Sequence, residues 1–172
     1  GFSSFFPAFH EIAGKTWGII GMGNIGRKVA KIADAFGCKV IFHSITGKNS
    51  CTEYPQVDFE TLLTESDVLS LHCPLSDLSR NLIAKEELQK MKQTAILINV
   101  ARGPVVNNAD LYEALMNGDI QAAGLDVLEK EGLPYTIFDN IKPNPTVANV
   151  LEGLDVCKNS GADYIIAVGG GS

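Results

Sequence analysis

The sequence has no cluster of lysine and arginine, no Cys-x-x-C, and no histidine after His72. Each absence narrows the function. With a net charge of −6 and no basic patch, neither nucleic acid nor an anionic membrane is an expected partner. Cys38, Cys51, Cys73 and Cys157 are scattered, so reduced thiols in a cytoplasmic protein are the expectation. His10, His43 and His72 lack ligand spacing, which argues against a structural metal. No apolar run reaches the length of a membrane span, and no signal-peptide pattern opens the chain. One further absence is local: no Asp or Glu occurs from Cys38 through Thr52.

What is present is the composition of a globular domain. Of 172 residues, 45% are hydrophobic and 20% charged, enough for one sizeable core. The organising stretch is WGIIGMGNIGRKVAKIADAF, residues 17–36. Residues 17–20 are a short apolar run suited to a strand buried on both faces. The glycine turn Gly21-Met22-Gly23-Asn24-Ile25-Gly26 follows, then a helical pattern with Ile25, Val29, Ile32, Ala33 and Phe36 on one stripe. Strand, G-x-G-x-x-G and helix in that order predict a dinucleotide site. Gly21 permits the tight turn, Gly23 leaves room for a pyrophosphate, and Gly26 lets the helix approach the strand. The helix N-terminus then faces the phosphates with unpaired N–H groups.

Residues 39–43 read as a second strand. An acidic side chain at its end would bind the ribose hydroxyls of the adenosine. That place holds Ser44, with His43, Thr46 and Lys48 beside it. With no carboxylate to repel it, a 2′-phosphate is admissible, so NAD or NADP is expected with a lean to NADP; a loop that ignores the ribose is the alternative. Asp58 caps a helix over 59–64, and a third strand over 67–71 ends in His72-Cys73-Pro74-Leu75, where Pro74 stops the ladder. A polar helix over 85–92 turns Leu88 and Met91 inward, and a fourth strand covers 94–100. Asn107 or Asn108 caps a helix that runs to Asn117 and stops at Gly118, before a fifth strand over 120–125. Such alternation predicts an α/β fold: a Rossmann-type doubly wound parallel sheet in three layers, α/β/α, with right-handed crossovers.

Ligands of such a sheet bind beyond the carboxyl ends of its strands. Those ends hold the glycine turn, Ser44, residues 72–75, Asn99 to Gly103, and Asp126. Arg102 follows a buried strand, and either binds a ligand or pairs with a carboxylate or backbone carbonyl. Asp126 is a second candidate or a turn cap. His72 is a rim histidine or a base. Phe2, Phe5, Phe6 and Phe9 crowd the first residues, where they either cover the sheet or meet another part of the protein.

From about His10 to Glu131 the chain resembles the nucleotide-binding domain of the D-isomer-specific 2-hydroxyacid dehydrogenases, and is most similar to glycerate dehydrogenases (hydroxypyruvate reductases). The stretches that carry this are HEIAGKTWGIIGMGNIGRKVA, ESDVLSLHCPLSDLSRNLI, LQKMKQTAILINVARGPVVNNADLYEAL and GDIQAAGLDVLEKE. The resemblance implies that Arg102 holds the substrate carboxylate and carbonyl, and that Glu131 pairs with a catalytic histidine. It places Asp126 against the nicotinamide amide. Met22, Asn24 and Ile25 fall in the phosphate turn, Pro74 and Ser79 in the cofactor loop, and Val100 and Ala101 beside Arg102. The family continues to a proline-histidine step that supplies the acid/base; here the sequence departs from it. A substrate domain normally precedes the nucleotide domain, so the chain is expected to be catalytically incomplete.

From about residue 132 the tail resembles the N-terminal nucleotide-binding part of iron-containing alcohol dehydrogenases, of the lactaldehyde and propanediol reductase type. PNPTVANV and ADYIIAVGGGS carry that likeness. It implies strands over 135–139 and 163–168 and a helix over 145–159. The chain is thus expected to be a chimera with its junction near 127–134, folded as one domain of residues 1–172 from a 1–131 part and a 132–172 part. A structural object without cofactor binding, or a fragment of an active oxidoreductase, are the alternatives.

Overall fold

In the computed structural model, the residues described are 11–48, 51–126 and 147–160. Five short apolar runs pair side by side, all parallel, in the order β2-β1-β3-β4-β5. They are β1 (Thr16–Ile20), β2 (Lys39–His43), β3 (Val68–Leu71), β4 (Ile96–Asn99) and β5 (Ala122–Leu125). All four residues of β3 are buried, as an unbroken apolar run at the centre of a parallel sheet requires. Its one polar member, Ser70, accepts a hydrogen bond from Trp17 Nε1 at 2.9 Å. Beyond β2 the sheet continues for a single rung. Phe42 N donates to Pro55 O at 3.1 Å and Val57 N to Phe42 O at 2.9 Å, so Gln56 lies parallel beside Phe42.

Helices cover both faces, giving the α/β/α layers. The helix α1 (Asn24–Ala35) packs Ala30 and Ala33 over Ile19, Val40 and Phe42. On the opposite face lie α2 (Phe59–Glu65), α3 (Lys85–Lys90) and α4 (Asn108–Asn117). Their Leu62, Leu63, Leu88, Leu111 and Leu115 close over Ile20, Ile41, Leu69, Leu71 and Leu97. Adjacent residues of β1 and β2 thus feed opposite layers, which is the period-2 pattern of a strand buried twice.

Local chemistry sets the helix ends. The Asp58 carboxylate accepts from Thr61 N at 2.8 Å, and Asn107 Oδ1 accepts from Ala109 N and Asp110 N at 3.1 and 3.2 Å. After α4, Gly118 adopts φ 73°, a left-handed cap that favours glycine. The helix α5 (Val147–Ser160) overlaps the helix expected over 145–159. The strands expected over 135–139 and 163–168 lie outside the described residues, as do Glu131 and the expected junction near 127–134.

The expected stripe of α1 is corrected by the structure. Ile25, Ile32 and Phe36 are 64%, 58% and 61% exposed; of the expected stripe only Ala33 is buried and Val29 packs beside it, and Gly26 and Ala30 complete the buried face. The reason is distance. A Cβ at Gly26 would collide with the carbonyl oxygen of Gly21, so α1 lies too near the sheet for large side chains. Gly26→Ala is expected to lower stability in urea by about 1–3 kcal/mol, the range for overpacking. A stability equal to wild type would show that the helix sits free of the turn.

Candidate functional site

Strand order reverses across β1, with β2 on one side and β3 on the other. A crevice therefore opens beyond its carboxyl end. Gly21 occupies that point with φ +93°. Its N–H donates to His43 O at 3.2 Å, and a Cβ there would lie 2.9 Å from the backbone of His72 and Cys73. Gly21 and Gly26 are thus demanded by the protein's own packing. Gly23 is different: a Cβ there meets nothing within 4 Å. Its bareness serves no contact within the chain, and it faces the open cleft. The twelve-residue α1 starts one residue later, with no side-chain cap and no acid in its first turn, so its N–H groups point to the same space unmet.

A cleft of about 410 Å³ lies over this turn. Gly21, Met22, Gly23 and Asn24 form its floor, with Arg27 above them on α1. Ser44, Ile45, Thr46 and Lys48 form one wall, and Cys73, Pro74 and Ser76 the other. Among the described residues, no carboxylate lines it. Met22 contributes backbone only, since its side chain is in the core under α1, whereas the side chain of Ile25 stands in solvent. Ser79 is fully buried: its hydroxyl donates to Pro74 O at 2.7 Å and accepts from Ser76 N at 2.8 Å. It braces the Pro74 wall from behind. Burial pushes the Cys73 thiol above its ordinary range, which keeps it protonated.

The second group of expected residues sits farther along the same edge. The Asn99 side chain donates to Arg102 O at 2.9 Å and accepts from Ala101 N at 3.0 Å, while Asn99 O accepts from Asp126 N at 3.0 Å. One strand-end asparagine thus ties Ala101, Arg102 and Asp126 into a single unit. Arg102 is exposed, with Nη1 donating to Ala101 O at 2.7 Å, and Val100 and Asp126 are exposed beside it. None of these lines the cleft over the glycine turn. Arg27 has no place among the residues expected from the sequence, and Asn99 enters there only as the first residue of a strand-end stretch. The one signal for Arg27 is its position one helical turn after Gly23; for Asn99 it is an amide at the end of an apolar strand.

Residues 3–150 match the family described as D-isomer specific 2-hydroxyacid dehydrogenase, NAD binding domain. The chain belongs to the D-isomer specific 2-hydroxyacid dehydrogenases. The matched range of this dehydrogenase domain runs through the expected junction near 127–134. A glyoxylate reductase of Aeropyrum pernix is 46% identical over 146 residues, covering 81% of this chain and 44% of that protein. The chain therefore spans less than half the length of this relative. The structure of D-lactate dehydrogenase with NAD+ from Lactobacillus jensenii matches with TM-score 0.66 and 42% identity, over 76% of this chain and 40% of that one. An acyclic imino acid reductase in complex with NADPH and D-Arg matches with TM-score 0.68 and 38% identity, over 73% and 41%. These relationships establish the dehydrogenase domain as a Rossmann-like dinucleotide-binding fold.

In this domain His72 is held by Ser70, whose hydroxyl lies 3.1 Å from Nε2 and also receives Trp17 Nε1. Its Nδ1 is buried without a partner among the described residues. Burial depresses its pKa below the ordinary 6.5. The neutral imidazole is thus the native form, and the unfolded chain takes up a proton that the folded chain resists. Stability should hold above the ordinary histidine pKa and fall as pH drops below it. Urea unfolding at pH 7 and pH 5 should show part of that fall missing in His72→Gln. An identical loss in the variant would show that His72 titrates freely in the fold.

Proposed function

We propose that the chain is the cofactor-binding part of a reductase for short 2-oxo or 2-hydroxy acids of the glycerate and hydroxypyruvate type, and that it turns over no substrate by itself. The observation that carries this reading is the empty space in front of Gly23, in a cleft floored by the glycine turn. The residues present fit a dinucleotide: backbone N–H groups at the start of α1, a floor with no side chain at Gly23, and no carboxylate among the described residues of the walls. The bound cofactor supplies or accepts a hydride. Arg102 then orients the substrate carboxylate and carbonyl, Asp126 the nicotinamide amide, and Glu131 a histidine from outside this sequence. With no acid from Cys38 through Thr52, and with Ser44, Thr46 and Lys48 at the end of β2, NADP(H) is favoured over NAD(H). The four free cysteines suit a reducing, cytoplasmic setting.

The tail from about 132 is read as the iron-containing alcohol dehydrogenase type, on PNPTVANV and ADYIIAVGGGS, which makes the chain a chimera. Titration with NADH and NADPH, followed through nucleotide fluorescence, should show saturable binding. Gly23→Val should abolish it while leaving the chain folded, because a Cβ at that position meets no protein atom within 4 Å. Wild-type affinity in that variant would reduce the motif to a turn.

Hydroxypyruvate should not be measurably reduced by this chain. An acid/base group contributes roughly 10²–10⁴-fold in such reactions, and Arg102 lies exposed rather than in a closed cleft. Robust hydroxypyruvate-dependent oxidation of NADPH that vanishes in Arg102→Ala would overturn this.

A further inference from the structure

We infer that Arg27 and Lys48 grip the 2′-phosphate of NADP(H) from two sides of the cleft, and that Arg27 contributes as much to cofactor choice as the end of β2. The inference rests on the cleft over the glycine turn being the dinucleotide site.

Both cations line that cleft, from different elements: Arg27 from α1 and Lys48 from the turn after β2. The phase of α1 is fixed by Gly26 against the Gly21 carbonyl, and Arg27 N donates to Gly23 O at 3.0 Å. Helical side chains lean toward the N-terminus of their helix, which carries the Arg27 guanidinium back over the glycine turn. On the other side, Gly47 N closes a turn onto Ser44 O at 3.0 Å, and Thr46 Oγ1 accepts from Lys48 N. That turn brings Lys48 to the cleft. Ser44 itself is only 8% exposed, so the residue at the position of the missing acid presents little surface to a phosphate.

A second feature points the same way. A cation close to a helix N-terminus opposes the helix dipole, and α1 has no acid in its first turn to offset it. Arg27 and Lys28 are therefore unfavourably placed for the isolated helix, and an anion in the cleft removes the penalty. The pyrophosphate satisfies the backbone N–H groups at Gly23 and Asn24. The planar fork of Arg27 suits the oxygens of an additional phosphate on the ribose, with Lys48 as a point charge opposite.

The test uses the full 172-residue chain with two fragments of the cofactor, 2′,5′-ADP and 5′-ADP, alongside NADPH and NADH. Wild type should bind 2′,5′-ADP and NADPH more tightly than their counterparts. Arg27→Gln, which keeps helix propensity, and Lys48→Ala should each weaken 2′,5′-ADP and NADPH by roughly tenfold or more, as loss of a charged hydrogen bond implies. Binding of 5′-ADP and NADH should stay within about twofold, and free Arg27→Gln should melt at or slightly above the wild-type temperature, as removal of a cation near the helix N-terminus implies. Equal weakening of both fragments would assign Arg27 to the shared 5′-phosphates and overturn the inference. So would unchanged affinity for 2′,5′-ADP. A wild-type preference for NADH would overturn both the clamp and the lean to NADP, while failure to bind any of the four ligands would overturn the cofactor site itself.

Discussion

Three backbones meet at the end of β1 with no side chain between them. Gly21 lies against the peptide of His72 and Cys73, and Gly26 lies against Gly21. Strand, neighbouring strand and helix are held there at a separation that any Cβ would break. This contact sets the height of α1 above the sheet, hence its preference for Ala30 and Ala33 over larger residues. It sets the rotation of α1, hence the direction of Arg27. It also leaves the helix N-terminus open to the crevice rather than buried, which is what an anionic ligand needs.

The opposite end of the sheet is held by charge. Asp67 accepts from Thr16 N at 2.8 Å and Lys92 Nζ at 2.9 Å, joining the segments that enter β1, β3 and β4. Burial works to raise its pKa, and these bonds outweigh it, leaving the carboxyl below its ordinary range. The sheet is thus fastened by polar bonds where its strands begin and by backbone packing where they end. Binding chemistry is confined to the second end, where the backbone turns away from the ladder and has free N–H groups to offer.

Legibility follows the range of the interaction. The strands, the Asp58 and Asn107 caps and the Gly118 stop were all readable, because each depends on a few adjacent residues. The roles of Gly21 and Gly26 were readable because turn and helix are contiguous. The burial face of α1 was not: periodicity marks a broad apolar arc from Ile25 to Phe36, and only the closeness of the sheet decides which part of it is used. Arg27 was missed for the same reason, since its partners come from the turn after β2. Asn99 acts through Arg102 and Asp126, one of them 27 residues away. The reading of residues 132–172 depended on likeness alone, without a local pattern to anchor it.

The single rung at Gln56 bears on how copies of this molecule meet. An outer strand with a free ladder invites another chain to pair with it. On the β2 side, Pro55 and Val57 already take both backbone groups of Phe42, and the chain then veers off toward α2. That margin is blunted at its middle, leaving no continuous run of donors and acceptors for an incoming strand.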